Sequence, residues 1–267
     1  MAGPVKTTGI VVGRLDFGNT SRILTFLTPD RGRVGALLKG ARRPRGRPGL
    51  GGGLDLLSEN EILLYERRSG LAVLAEWAEL TTSAELGRDA VRLAAAEACA
   101  EFARECSAEA QGEPAMYALL SAGAGLAARA ERLVPPTLSV ALGMLSLAGF
   151  RPMTGGCPVC GARTAVGAGA GRRRLSAAEG GLLCPRCSAS RGPDGPDQGL
   201  SPESAALLGA LVRLEPEAAA RLRPSRGAED ELLGAVERFA AWKLERAMRA
   251  LSGLGAVIAG LEAAGCR

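Results

Sequence analysis

Hydrophobic and polar positions along the chain change their period near residue 80. Before that point the apolar residues fall into short β-branched or alternating runs: Gly9–Leu15, Ser21–Leu27, Val34–Leu38, Leu54–Leu57, Glu61–Glu66 and Leu71–Ala78. Turn chemistry separates several of them, at Asp16-Phe17-Gly18-Asn19, Thr28-Pro29-Asp30-Arg31-Gly32-Arg33 and Arg68-Ser69-Gly70. Glycine supplies positive φ in such turns, and Asp and Asn bond to their own backbone. Five or six short strands in about 80 residues predict a small closed barrel of the OB type.

From Ser83 to Phe150 the period becomes helical. Val91, Ala95, Cys99, Phe102 and Cys106 recur every three or four residues, a single apolar stripe, so both cysteines read as small core residues and not as ligands. Pro114 and the pair Pro135-Pro136 stand where helices should begin, because a first turn does not use the N–H that proline lacks. Thr137–Ala148 is nearly all apolar and predicts a buried helix. Further helices are predicted at Pro202–Leu214 and from Ala228 to about Gly253, the latter with Leu232, Val236, Ala240, Leu244 and Met248 facing inward. The predicted fold class is α+β: an N-terminal OB-type β-barrel, then an all-α domain carrying a four-cysteine zinc insert. The barrel is assigned to residues 1–80, the helical domain to 81–154 and 200–267, and the insert to 155–199.

Composition supports a packed chain, with 47% apolar residues over 267 positions. Aromatics make up 3%, which favours helices packed through small residues. A net charge of +5 leans toward acidic partners. Lys6, Lys39 and Lys243 are the only lysines among 33 basic residues, a skew best read as GC-rich coding. The charge is uneven: Arg31 to Arg47 holds seven Lys/Arg and no acid. Such a stretch suits phosphate contact, with the salt dependence that counterion release imposes; the plain alternative is a solvated charge run. Phe17, Phe26, Tyr65 and Trp77 are the barrel's aromatics, split between core packing and base stacking.

The first twenty residues carry Lys6, Arg14 and Asp16 without an apolar segment, and no apolar run reaches the roughly 20 residues of a membrane span. A soluble cytoplasmic protein with reduced thiols and no membrane partner is expected. Histidine is absent altogether, which excludes Ser-His-Asp triads, Cys-His dyads and histidine-ligated metals. No lysine follows a glycine, so the phosphate-cradling P-loop is missing. Gly167, Gly169 and Gly171 fit a dinucleotide fingerprint only loosely and read as a hairpin tip.

Chemistry concentrates in two C-x2-C knuckles, Cys157-Pro158-Val159-Cys160 and Cys184-Pro185-Arg186-Cys187, separated by 23 residues. Two residues between cysteines let one tight turn present two sulfurs, and two such turns complete a tetrahedral thiolate shell. Gly161 permits close backbone approach to the sulfurs, and Gly180-Gly181 reads as the hairpin turn returning to them. Structural zinc on Cys157, Cys160, Cys184 and Cys187 is expected; an iron–sulfur cluster or a site that has lost its metal are the alternatives. Four protein ligands close the shell, so the metal staples and does not catalyse. Arg163, Arg172–Arg174, Arg186 and Arg191 make the insert basic as well.

A barrel, a helical body and a four-cysteine insert in that order resemble the RecO family of bacterial recombination mediators. The matching passages are Gly9-Ile10-Val11-Val12, then Arg22-Ile23-Leu24-Thr25-Phe26-Leu27-Thr28-Pro29-Asp30-Arg31-Gly32-Arg33, and the continuation Lys39-Gly40-Ala41-Arg42-Arg43. Gly149-Phe150-Arg151-Pro152 leading into Cys157, and Gly180-Gly181-Leu182-Leu183-Cys184-Pro185, are similar to the family's passages around its zinc module. The glycine-rich tract Gly49–Gly53 and the Ala- and Gly-rich body depart from that pattern.

The resemblance implies a non-enzymatic protein of recombinational DNA repair. It would bind single- and double-stranded DNA, anneal complementary strands, and act with RecR and in places RecF to load RecA onto DNA coated by single-strand-binding protein. It also implies that the helical region receives the coating protein's acidic C-terminal tail, and that the protein is associated with the nucleoid. The implied DNA contacts are Arg14, Arg22, Arg31, Arg33, Lys39, Arg42, Arg43, Arg45 and Arg47. On the residues alone, two other classes compete with this one. A metal-dependent nuclease would need clustered carboxylates, whereas Asp16, Asp30, Asp55, Glu59 and Glu61 recur at no regular spacing. An RNA-binding OB module of translation or ribosome assembly shares the same charge and fold.

Overall fold

The computed structural model describes residues 3–41, 54–67, 70–163, 171–190 and 197–265. Arg42, Arg43, Arg45, Arg47, the tract 49–53, Arg68-Ser69, Gly167, Gly169, Arg191 and Cys266 lie outside the described residues.

Five strands form the closed barrel: β1 (Pro4–Phe17), β2 (Ser21–Thr28), β3 (Gly32–Leu38), β4 (Glu59–Tyr65) and β5 (Ala72–Thr81). Their order is β1-β2-β3-β5-β4, closed by β4 on β1, with a parallel β3–β5 pair at Ala36↔Ala72 and Leu37↔Val73. This is OB topology. One long strand serves two partners: β1 pairs with β4 from Pro4 to Ile10 and with β2 from Ile10 to Phe17. A register shift between Val11 and Gly13 bends it between the two roles. Alternation sends Val11, Leu24, Phe26, Ala36, Leu38, Ile62, Leu64, Ala72 and Leu74 to the barrel interior.

A 3-10 turn (Ala84–Arg88) leads into α1 (Ala90–Cys106), α2 (Pro114–Arg129) and α3 (Val134–Leu147). Asp89 caps α1, its carboxylate accepting the Val91 and Arg92 N–H groups at 2.8 and 3.1 Å. Pro114 and Pro135 occupy the first turns of α2 and α3, as predicted. Phe102, Met116, Leu120, Leu138 and Leu142 are fully buried where these helices meet. Cys99 and Cys106 sit in or against that core, and burial pushes both thiols up to about 12. They are packing residues, in keeping with their place on the α1 stripe.

The insert comprises β6 (Arg173–Ser176), β7 (Gly181–Leu183), the short α4 (Pro185–Ala189) and β8 (Gln198–Leu200), in sheet order β7-β6-β8. The chain continues through α5 (Pro202–Leu211), α6 (Pro216–Ala219), α7 (Arg226–Leu244) and α8 (Ala250–Ala263). No helix among the described residues is long and apolar enough to cross a membrane.

Two expected elements take other forms. Leu54–Leu57 is a turn with Leu57 at φ 61, not a strand. Leu56 and Leu57 are apolar because they plug into the helical core, and the Leu57 N–H reaches the Val11 carbonyl at 2.8 Å. The long C-terminal helix is two helices. Helix α7 stops at Leu244, with Glu245 left-handed at φ 53. The Glu101 carboxylate then accepts the Arg249 and Ala250 N–H groups at 3.0–3.2 Å and starts α8. Met248 remains buried in the connection, so the apolar period continued through a break that it could not reveal.

Barrel and helices share one core, since Ile10, Val12 and Leu27 pack with the residues of α1–α3. The β2–β3 turn is clasped by the α1–α2 loop. Gly32 lies at φ +61, and a Cβ there would stand 2.3 Å from the Gln111 carbonyl oxygen and 2.5 Å from that of Ala108. Gly18, in the β1–β2 turn, has a similar φ of +59 with nothing within 4 Å. Gly18→Ala should therefore cost only the left-handed strain of about 1–2 kcal/mol, and Gly32→Ala distinctly more. Urea denaturation of the two variants checks this, and equal losses would mean that the clasp is loose.

Candidate functional site

The four knuckle cysteines come together. Their sulfurs all lie within 4.8 Å of one another, and Cys160 Sγ is 3.7 Å from Cys184 Sγ. A tetrahedral thiolate site with metal–sulfur bonds of about 2.3 Å requires sulfurs about 3.8 Å apart, while a disulfide requires about 2.0 Å. The spacing is that of a metal shell. Cys157 and Cys184 are buried and Cys160 is exposed. Gly161 adopts φ +72, and its N–H closes the first knuckle on the Cys157 carbonyl at 2.9 Å, not on a sulfur. In the second knuckle the Cys187 N–H points at Cys184 Sγ, 3.5 Å away, from the first turn of α4.

These backbone donors shape the thiols. Burial pushes Cys157 up, but the N–H groups of Cys184, Cys160 and Val159 outweigh it and bring the thiol down to about 6. Cys184 is lowered chiefly by the Cys187 N–H. Cys187 is pushed up to about 12, first by its hydrogen bond with Cys160. Four thiolates side by side repel one another, and a bound cation removes that opposition. The group can hold a metal ion with no open coordination position.

The hairpin that returns the chain to the second knuckle turns at Gly180 (φ +82) and Gly181, as predicted. A Cβ on Gly181 would lie 2.4 Å from the Met153 carbonyl oxygen. That close approach lets the Leu182 N–H bond the same carbonyl at 2.8 Å, setting the two knuckles side by side. Leu175, Ala177, Leu182 and Leu200 tie the insert into the helical core.

Among the described basic positions, four of the five expected nucleic-acid contacts are held by acids. Arg14 pairs with Asp55 at 2.7 Å and Arg22 with Asp16 at 3.0 Å. Arg31 bonds Glu66 and lies 3.5 Å from Asp30. Arg33 reaches Glu109 at 3.4 Å and donates to the Arg104 carbonyl on α1. Lys39 is exposed just beyond β3. Arg42, Arg43, Arg45 and Arg47 follow it in sequence, outside the described residues. Partly exposed pairs of this kind contribute about 0–1 kcal/mol each, so a phosphate can take the acid's place at small cost. Arg33 differs, because its bond to α1 also holds the barrel on the helices. Asp30 adjoins Arg31 and Asp16 stands 6 residues from Arg22, but Asp55, Glu66 and Glu109 lie 35 to 76 residues from their arginines, where no local sequence signal discloses them.

The carboxylates that a nuclease would need are likewise engaged. Asp55 and Asp16 hold the arginines above, Glu61 pairs with Lys6 at 2.8 Å, Asp30 accepts from Thr7, and Glu59 accepts from Tyr117 at 2.6 Å. Among the described residues, the four cysteines form the one group of ligand side chains gathered closely enough to hold a metal.

Sequence reading also missed Glu231 of α7, which anchors the insert. Its carboxylate accepts the Ser201 N–H at 2.7 Å, the Ser204 hydroxyl at 2.6 Å and the Arg172 guanidinium at 3.1 Å. Burial alone would raise this carboxyl; the hydrogen bonds from Ser204, Ser201 and Arg172 prevail and hold it down to about 2. A depressed folded-state value stabilises the protein above the unfolded carboxylate value, about 4.3. That contribution is lost as pH falls from there toward about 2. Glu231→Gln should therefore flatten the stability–pH curve across this acid window, as thermal melts at a series of pH values would record. An unchanged curve would show that Glu231 contributes nothing to it.

Comparison with known proteins follows this architecture. The profile described as "Recombination protein O N terminal" matches residues 1–83, and "Recombination protein O C terminal" matches residues 87–252. A protein of Anaeromyxobacter dehalogenans named DNA repair protein RecO is 34% identical over 212 residues, 79% of each chain. One of the same name from a Nocardioides species is 33% identical over 252 residues, covering 91% of this chain and 96% of its own. A third, from Desulfitobacterium hafniense, is 26% identical over 252 residues, 94% of this chain and 89% of its own. The two profiles together span the barrel, the helices α1–α3, the four-cysteine insert and α7, so the resemblance seen in the opening motifs extends through the body: the chain belongs to the recombination protein O (RecO) family.

Proposed function

We propose that the protein is a non-enzymatic DNA-binding and strand-annealing factor of recombinational repair. The observation that carries this reading is the basic stretch Arg31–Arg47, which begins at β3 of an OB barrel in a chain whose relatives are named DNA repair proteins. Phosphate contact from that stretch, joined by Arg14 and Arg22 when they exchange their acids for phosphate, would hold strands without reading sequence. Annealing asks only for neutralised charge and a surface that accepts both single strand and duplex. The relatives' names favour DNA over the RNA of a translation factor. In the full reading the protein works with RecR, and with RecF where required. It engages the acidic tail of single-strand-binding protein and helps load RecA onto coated DNA in the cytoplasm at the nucleoid.

Changing Arg42, Arg43 and Arg45 together to Glu should abolish DNA binding at moderate salt. Milder Gln versions should make the slope of log affinity against log salt shallower by roughly two for single strands. Fluorescence anisotropy measures both, and wild-type binding by the Glu variant would sink the role of the stretch. Annealing of strands precoated with single-strand-binding protein tests the mediator role separately.

The cysteine shell is proposed to hold zinc, with Cys157, Cys160, Cys184 and Cys187 as ligands. Sulfur spacing and the all-thiolate donor set support it. Zinc would supply folding free energy on the order of 10 kcal/mol to an insert with little core of its own. Elemental analysis of purified protein should find one zinc per chain. Replacing Cys157 and Cys184 by Ser should remove it and lower the melting temperature. Visible absorption from iron–sulfide bonds, or a full complement of zinc in the double variant, would overturn the assignment.

A further inference from the structure

The four knuckle sulfurs are close together but unequally covered. Cys157 and Cys184 are 1% and 6% exposed, Cys187 is half-buried, and Cys160 is exposed. The first knuckle forms an outward tip, in which Val159, Cys160, Gly161, Ala162 and Arg163 are all exposed. Its base is tied down: the Cys157 N–H donates to the Ala162 carbonyl at 2.8 Å, and the Gly161 N–H to the Cys157 carbonyl at 2.9 Å. A Cβ on Gly161 would meet nothing within 4 Å, so the tip has open space around it. Cys160 is thus the ligand sulfur that solvent reaches most freely.

The second knuckle is held differently. Cys184 follows the fully buried Leu183 and caps α4, its sulfur accepting the Cys187 N–H at 3.5 Å. Cys184 Sγ lies 3.7 Å from Cys160 Sγ, across the gap between the two knuckles. A disulfide requires about 2.0 Å, and a swing of the exposed tip toward the fixed Cys184 supplies the difference.

Cysteines that ligate a metal are thiolates, and the thiolate is the form that attacks a peroxide. Selectivity among thiolates follows exposure, which here singles out Cys160. Its sulfur would attack one oxygen of hydrogen peroxide, break the O–O bond and become a sulfenic acid, with hydroxide leaving. The Cys184 thiolate would then attack that sulfur, form the S–S bond and displace a second hydroxide. Two thiolates together lose two electrons, and one peroxide is reduced to two hydroxides. Two of the four donors are consumed, which ends tetrahedral coordination.

We infer that Cys160 is a peroxide-sensitive modification site with Cys184 as its resolving partner, and that oxidation exchanges the metal for a cross-knuckle disulfide. The inference rests on the proposed zinc shell and goes beyond it. Metal and disulfide would hold the same two knuckles side by side, the first through four sulfurs and the second through two. The insert would keep a staple while giving up its ion, and a dithiol reductant would reverse the change.

The test treats the full chain, in a Cys266→Ser background, with hydrogen peroxide and follows zinc with a chromogenic chelator. Zinc should be released with the loss of two thiols per ion, and a dithiol with added zinc should restore both. Trypsin cuts after Arg163 and Arg186, so mass spectrometry should find the peptide holding Cys160 joined to the one holding Cys184. The oxidised, zinc-free protein should melt above reduced protein stripped by a chelator. Cys160→His keeps a zinc ligand at this position and removes the exposed sulfur; its release should be lost over the time in which wild type empties. Cys187→His should still release zinc and form the same disulfide. If Cys160→His fails to hold zinc, the wild-type peptide map decides by itself. A link from Cys160 to Cys157 or Cys187, zinc retained through the treatment, or wild-type release by a zinc-loaded Cys160→His would each overturn the inference and leave the zinc assignment standing. Absence of zinc from the protein before any treatment would overturn the zinc assignment itself, and this inference with it.

Discussion

The packing of the barrel on helix α1 is the contact on which the rest of the arrangement depends. Ile10, Val12 and Leu27 leave the barrel surface and enter the helical core around Phe102. Arg33 and Arg104 stitch the same seam with bonds to the Arg104 and Val12 carbonyls. A barrel of about 80 residues buries a smaller fraction of its surface than a larger domain does, and sharing a core with three helices makes up that deficit. The seam also has a directional effect. It covers one part of the barrel wall and leaves free the hairpin β1–β2, the end of β3 and the outer face between them.

What remains free is chemically divided. One face of the β1–β2 hairpin carries Arg14, Asp16 and Arg22 in ion pairs, and the other carries Leu15, Phe17 and Ile23. Period-2 alternation alone produces this division, because successive side chains point to opposite sides of a strand. The cations here are already neutralised by nearby acids, so contact with phosphate is an exchange of partners. Such exchange would keep binding reversible and salt-sensitive, as the proposed annealing role requires.

The insert is arranged on another principle. Its three short strands have little core of their own, and two kinds of interaction fix them: the thiolate group at one end and Glu231 with the leucines on α7 at the other. A closed four-sulfur shell is suited to holding structure and not to chemistry. The insert thus adds a few directional contacts to the burial of Leu175, Leu182 and Leu200 in the helical core.

The sequence by itself determined the elements whose causes are local. Alternation announced β1–β5, the stripe through Ala95, Cys99 and Phe102 announced α1, prolines marked the starts of α2 and α3, and C-x2-C spacing announced the thiolate shell. Each depends on neighbours a few residues apart. Local pattern failed at Leu54–Leu57, where apolar residues serve a distant core and not a strand. It failed again at Glu245, where a carboxylate from α1 restarts the helix. Only the tertiary structure decided which arginines carry acidic partners and which barrel face the helices cover. Those facts depend on register and packing between residues tens of positions apart, and a one-dimensional pattern holds no distance between them.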